Sequence, residues 1–132
     1  MTILVAFAHT AEGHAALEHA RRLAANDNAP LVVFDMETAS AENDRSLTPP
    51  AEATDPAEST LQSVRWLGHR REDPDPAAEL IDLSEELEVD LIVVGLRRRS
   101  RVGKLLLGSN AQRILIDAEV PVLAVKATHH DQ

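Results

Sequence analysis

Short apolar runs at Ile3–Ala8, Leu31–Phe34, Asp90–Gly95 and Val120–Val125 alternate with stretches of helical period, and this alternation constrains the fold more than any other feature of the chain. The runs are rich in β-branched residues and nearly free of charge, as strands buried on both faces of a parallel sheet must be. From Ala11 to about Asn26, Ala16, Ala20, Leu23 and Ala24 recur on one helical face, with Thr10 as the expected N-cap and Asn26-Asp27-Asn28 and Pro30 as the stop. Asp75-Pro76 opens a second helix whose apolar face holds Leu80, Ile81, Ser84 and Leu87, and Ala111, Ile114, Leu115 and Ala118 mark the last one. Strands and helices in this order imply right-handed βαβ units and an α/β fold, with a mostly parallel sheet covered on both faces. In such sheets ligands bind beyond the carboxyl ends of the strands, where the strand order reverses.

Two segments are less regular. Thr38 to Thr60 carries Pro49-Pro50 and Pro56 without sustained periodicity and reads as an exposed connection with at most one short helix. The stretch from Leu61 to Gly68 is the candidate for the third of five strands. Pro121 places the closing strand, Val120 to Val125, at a sheet edge or makes that proline its first residue.

The chain of 132 residues is expected to form one domain spanning 1–132, and its 44% hydrophobic and 27% charged residues argue against disorder. Cysteine is absent, which removes thiol catalysis, disulfides and Cys-ligated metal centres. Phe7, Phe34 and Trp66 are too few aromatics for a nucleic-acid stacking platform, and a net charge of −9 repels a phosphate backbone, so nucleic acid is not an expected partner. No apolar run approaches the roughly 20 residues of a bilayer span, and the N-terminal run is too short for a secretory signal, so no membrane partner and a cytoplasmic address are expected.

Against that acidic background, five of the thirteen basic residues fall between Arg97 and Lys104, within a segment running from Gly95 to Asn110. Such a concentration is a local anion trap. Gly108 permits close backbone approach, and Ser109 and Asn110 begin a helix whose free N–H groups favour a phosphate. The alternative reading of the same residues is a solvated basic loop with glycines needed only for turning. Gly103-Lys104 resembles the end of a P-loop, but Leu105 stands where Ser or Thr is required. His9, His14 and His19 are five apart and do not share a helical face as an i, i+4 metal pair would, so no metal site is expected. Asp35, after the second strand, is either a ribose-binding acid or a turn residue.

The segment Gly95 to Asn110 resembles the Gly-x2-Gly-x9-Gly-Ser/Thr signature of the universal stress protein family, with Gly95, Gly108 and Ser109 at the matching spacing and Arg98 at the second glycine. The likeness extends through Ile3-Leu-Val-Ala, Ala15-Ala-Leu17, Asp90-Leu-Ile-Val-Val-Gly95, Gln112-Arg-Ile-Leu and the closing Val-Pro-Val-Leu-Ala-Val. It covers nearly the whole chain except 38–66, where the family usually has a longer helix. A further departure lies at the end of the first strand, where the family commonly has an aspartate that hydrogen-bonds the nucleotide and this chain has Ala8.

The resemblance implies a three-layer, five-stranded, Rossmann-like fold of the adenine nucleotide alpha hydrolase-like kind. It also implies a regulatory module that binds ATP or another adenine nucleotide, with magnesium accompanying the nucleotide. The nucleotide-binding residues it points to, with Asp35 added on the ground above, are Ala6, Phe7, Ala8, Asp35, Gly95, Arg97, Arg98, Gly108, Ser109 and Asn110. It further implies a homodimer joined through strand 120–125. No catalytic residues are expected, slow ATP hydrolysis being the enzyme alternative. Ala8 and Arg98 motivate a second possibility, a nucleotide-free homodimeric stress-response interaction protein whose basic loop docks an acidic partner or small anion.

Overall fold

The computed structural model describes residues 1–40, 44–51, 63–70, 75–98 and 105–127, with only the backbone described at 98, 105 and 106. Strand β1 spans Ile3–Phe7, helix α1 Ala11–Asp27, β2 Leu31–Ala39, β3 Val64–His69, α2 Pro76–Glu86, β4 Leu91–Arg98, β5 Leu105–Leu106, α3 Ser109–Asp117 and β6 Val122–Lys126. The parallel sheet runs β3-β2-β1-β4-β6, and the two-residue β5 adds an antiparallel pairing at the far end of β4. The chain moves from β1 outward to β3, then returns to the other side of β1 to lay down β4 and β6. The order therefore reverses between β1 and β4, which are parallel neighbours with Ile3 opposite Leu91.

Alternation along the strands divides the core. Ile3, Val5 and Phe7 of β1, Leu31 and Val33 of β2 and Val93 of β4 pack on Ala16, Leu17, Ala20 and Ala24 of α1. Leu4 and Ala6, Val32 and Phe34, and Ile92 and Val94 face the other way, onto Leu80 and Leu83 of α2 and Ala111 and Ile114 of α3. The period of two in each strand thus gives a three-layer α/β sandwich with a parallel sheet between helices. Among the described residues no helix is long and apolar enough to cross a membrane.

Local signals place the helix ends. Thr10 Oγ1 accepts from Gly13 N at 3.0 Å to cap α1, and Asn28, with φ 52°, ends it in the left-handed conformation. Asp75 caps α2 through Ala78 N, with Pro76 at the first helical position.

Several boundaries depart from the sequence reading. β2 continues five residues beyond Phe34, so Asp35 lies within the strand. β4 continues three residues beyond Gly95, through Arg98, making Arg97 a strand residue rather than part of a loop. β1 ends at Phe7, and β6 begins after Pro121. On α3 only Ala111 and Ile114 are buried, whereas Leu115 is exposed, because a nine-residue helix beside the last strands presents a narrow inner stripe. The short helix expected within 38–60 lies outside the described residues. What is described there is an extended piece: Ser46 bridges Leu67 antiparallel, Leu47 N donates to Trp66 O at 3.0 Å and Gly68 N to Arg45 O at 2.8 Å.

Candidate nucleotide-binding cleft

A cleft of about 190 Å³ opens at the carboxyl ends of β1 and β4, where the strand order reverses. Its walls come from Ala6 and Ala8 on one side, Gly95 and Arg97 on the other, and Gly108, Ser109 and Asn110 at the start of α3. Seven of the ten residues named as site candidates are thus gathered around one space. Phe7 is fully buried in the layer beneath α1 and does not line the cleft, as alternation along β1 requires of a neighbour of Ala6. Asp35, with 1% exposure, is likewise turned away from it. For Arg98 the structure describes the backbone alone, paired with Leu105. Arg99, Arg101 and Lys104 lie outside the described residues.

Two of the three glycines that line the cleft, Gly95 and Gly108, stand there for different reasons. A Cβ at Gly95 would overlap the carbonyl oxygen of Glu12, so the first turn of α1 can rest on β4 only over a residue with no side chain. Among the described residues a Cβ at Gly108 would meet no atom within 4 Å, and its φ of −65° suits any residue. Neither the backbone conformation nor the packing of the described residues demands a glycine at 108.

Gly108 is also the N-cap of α3 and gives that helix no side-chain cap, so its leading N–H groups are offered at the cleft wall with the positive end of the helix dipole behind them. Arg97 adds a formal positive charge, its Nε donating to Glu12 Oε2 at 3.4 Å across the cleft mouth. These are donors suited to a phosphate, and the missing Cβ leaves room for one.

The side formed by β1 and β2 is different in kind. Ala6, Ala8 and Met36 supply apolar surface, and Glu37 supplies a carboxylate. A ring of hydrogen bonds holds that corner: His9 N donates to Glu37 Oε1 at 2.8 Å, Glu37 N to Asp35 Oδ1 at 3.0 Å, and His9 Nε2 to Asp35 Oδ2 at 2.8 Å. Asp35 is thus a support under the cleft rim. Sequence reading did not single out Glu12, Glu37 or Met36, and only their closeness in the chain to Thr10 and Asp35 hinted at them. His14 packs edge-on against Phe7 at 5.1 Å, and among the described residues no group of three His, Asp or Glu side chains is gathered as a metal would require.

The fold is a doubly wound α/β one with a cleft at its switch point. The sequence profile of the universal stress protein family matches residues 1–126, and the chain belongs to that family. A universal stress protein of Mycolicibacterium smegmatis is 35% identical over 126 residues, covering 94% of this chain and 96% of its relative. Among solved structures, a universal stress protein in complex with cAMP superposes with a TM-score of 0.68 at 22% identity, covering 97% of this chain and 98% of the other. One from Archaeoglobus fulgidus in complex with dAMP gives 0.59 at 17% identity, covering 95% and 96%. At such identities the two structures speak for the fold.

Proposed function

We propose that this chain is a regulatory module that binds an adenine nucleotide, ATP or AMP, or a related phosphate-bearing ligand, with its phosphate at the start of α3 and beside Arg97. The observation that carries the reading is Gly108, a glycine at the cleft wall that neither its backbone conformation nor its packing among the described residues requires. Relatives of the same fold solved with cAMP and dAMP support an adenine nucleotide over a bare anion. Magnesium enters with a bound triphosphate. The reading includes a single domain, a cytoplasmic address, no catalytic turnover, and a homodimer through the edge strand β6.

The Glu12–Arg97 pair favours a second reading, in which the cleft works without nucleotide and the module acts through protein contacts, because the arginine then already has an anionic partner.

Calorimetric titration with ATP, its magnesium complex, ADP, AMP and inorganic phosphate distinguishes the two. Gly108→Val is expected to fold, with a small fall in thermal midpoint from the poorer N-cap, and to lose at least tenfold in nucleotide affinity, because its side chain fills the space left for a phosphate. Arg97→Glu is expected to weaken every phosphate-bearing ligand by roughly tenfold or more, the loss of one charge-assisted hydrogen bond. No binding by the wild type selects the second reading, and unchanged affinity in both variants moves the phosphate away from the start of α3 and Arg97.

A further inference from the structure

The cleft is chemically divided, and its β1–β2 side carries one feature that a phosphate site does not explain. Along β2, Asp35 pairs with Gly68 and the next partnered residue, Ala39, pairs with His69. Residues 36–38 therefore fall between two successive partners on β3, and the strand bulges there. Bulges of this kind re-aim side chains at sites. Here the bulge brings Met36 and Glu37 to the cleft wall beside Ala6 and Ala8.

Glu37 is exposed, yet it is tethered at both ends: its N–H donates to Asp35 Oδ1, and its Oε1 accepts from His9 N. Asp35, fully buried, in turn holds the His9 ring. The ring ties the rim of β2 to the turn between β1 and α1, and it fixes a carboxylate that has acceptor capacity beyond the one bond from His9. An ionised carboxylate accepts hydrogen bonds and repels phosphate. Its complement in a phosphate-bearing ligand is a neutral group with adjacent donors, lying away from the phosphate. Ribose hydroxyls meet that description, and the neighbouring Ala6, Ala8 and Met36 give apolar surface for the rest of a nucleoside.

We propose that Glu37 is the sugar-recognising residue of the cleft, accepting hydrogen bonds from ribose hydroxyls and setting a preference for ribonucleotides. Asp35 and His9 are its positioning residues. This inference rests on the nucleotide reading above and fixes the ligand's direction, with the sugar towards β2 and the phosphate towards α3.

The test compares AMP with 2′,3′-dideoxy-AMP by calorimetry, with pyrophosphate as a ligand that has no sugar. Wild type is expected to prefer AMP by tenfold or more. Glu37→Ala is expected to bring the two within about twofold while leaving pyrophosphate affinity within twofold of wild type. Glu37→Gln keeps an amide oxygen for the bond from His9 N, and guards against a result caused by a disordered rim. It is expected to reduce the preference to two- to threefold. A preference that survives in Glu37→Ala, or a wild type that binds both nucleotides equally, overturns the assignment and leaves the nucleotide reading standing. Binding of pyrophosphate with no nucleotide overturns the sugar assignment and keeps the anion site; no binding of any phosphate ligand overturns both.

Discussion

At its β3 edge the sheet is closed by its own chain, whereas at its β6 edge no further strand is added among the described residues. Beside β3, the piece around Ser46 exchanges backbone bonds with Trp66 and Gly68. It is pinned from below by Arg45, whose Nε donates to Glu79 Oε2 at 2.8 Å. Glu79 is 2% exposed and Arg45 8%, and the same carboxylate also accepts from Arg70 N. A buried charge pair with its remaining lone pairs used is costly to break by removing one partner.

On the opposite side, Val122 to Val125 are only partly buried, and among the described residues no strand pairs with the outer side of β6. Ile92 N donates to Pro121 O at 3.0 Å, so the alternation of a parallel ladder turns the N–H groups of Leu123 and Val125 towards β4. Those of Val122, Ala124 and Lys126 then point outward. One edge is thus finished intramolecularly, and the other carries apolar residues and backbone groups without a strand partner among the described residues, which a second copy could use.

The largest effect expected from breaking this contrast is at the closed edge. Glu79→Ala, which leaves the Arg45 guanidinium and Arg70 N without their acceptor, should destabilise the protein by about 3–5 kcal/mol in urea denaturation. A loss below about 1 kcal/mol would show that the backbone bonds of the Ser46 piece hold that edge unaided.

At the open edge the effect should fall on association. Ala124→Pro removes an outward donor without removing a bond to β4, and should shift sedimentation from dimer to monomer with the circular dichroism spectrum retained. Lys126→Pro, at the strand's end, serves where the first variant does not fold. A wild type that sediments as a monomer at high micromolar concentration refutes the dimer, and variants that fold and remain dimeric move the interface elsewhere.

The smallest effect concerns the helices between the edges. The Asp75 carboxyl is held below its ordinary value of 3.8, first by the hydrogen bond from Arg113 of α3 and then by the backbone N–H of Ala78. A depressed folded-state value stabilises above the ordinary one and is lost as pH falls through the depressed value. Wild type and Asp75→Asn should therefore differ slightly in thermal midpoint at neutral pH and converge as the pH falls below about 3.8. A gap that persists in acid assigns the difference to something other than ionisation.

Much of this was legible in the chain. The β-branched runs gave β1, β4 and β6, and the Gly95–Gly108–Ser109 spacing led to the cleft, because strand period and helix starts are local properties. The closed edge was not legible. Glu79 sits in the first turn of a helix, where an acid is favoured by the dipole and ordinarily wet, and its partner lies 34 residues away in a segment without period. Glu37 was hidden for a related reason. It follows a buried run whose end seemed marked by Asp35, and the bulge that turns it to the cleft depends on pairing with β3, which no local pattern encodes.

Gly95 and Gly108 carry a last consequence, for how such chains diverge. Residue 95 answers to the seating of α1 and, on the proposed reading, residue 108 to whatever enters the cleft, so mutation can test them separately. A lineage that gave up its ligand would be free to replace the second and still bound to keep the first. In a descendant, survival of Gly95 would record ancestry of the fold, and only the residue at 108 would record whether the cleft was still in use.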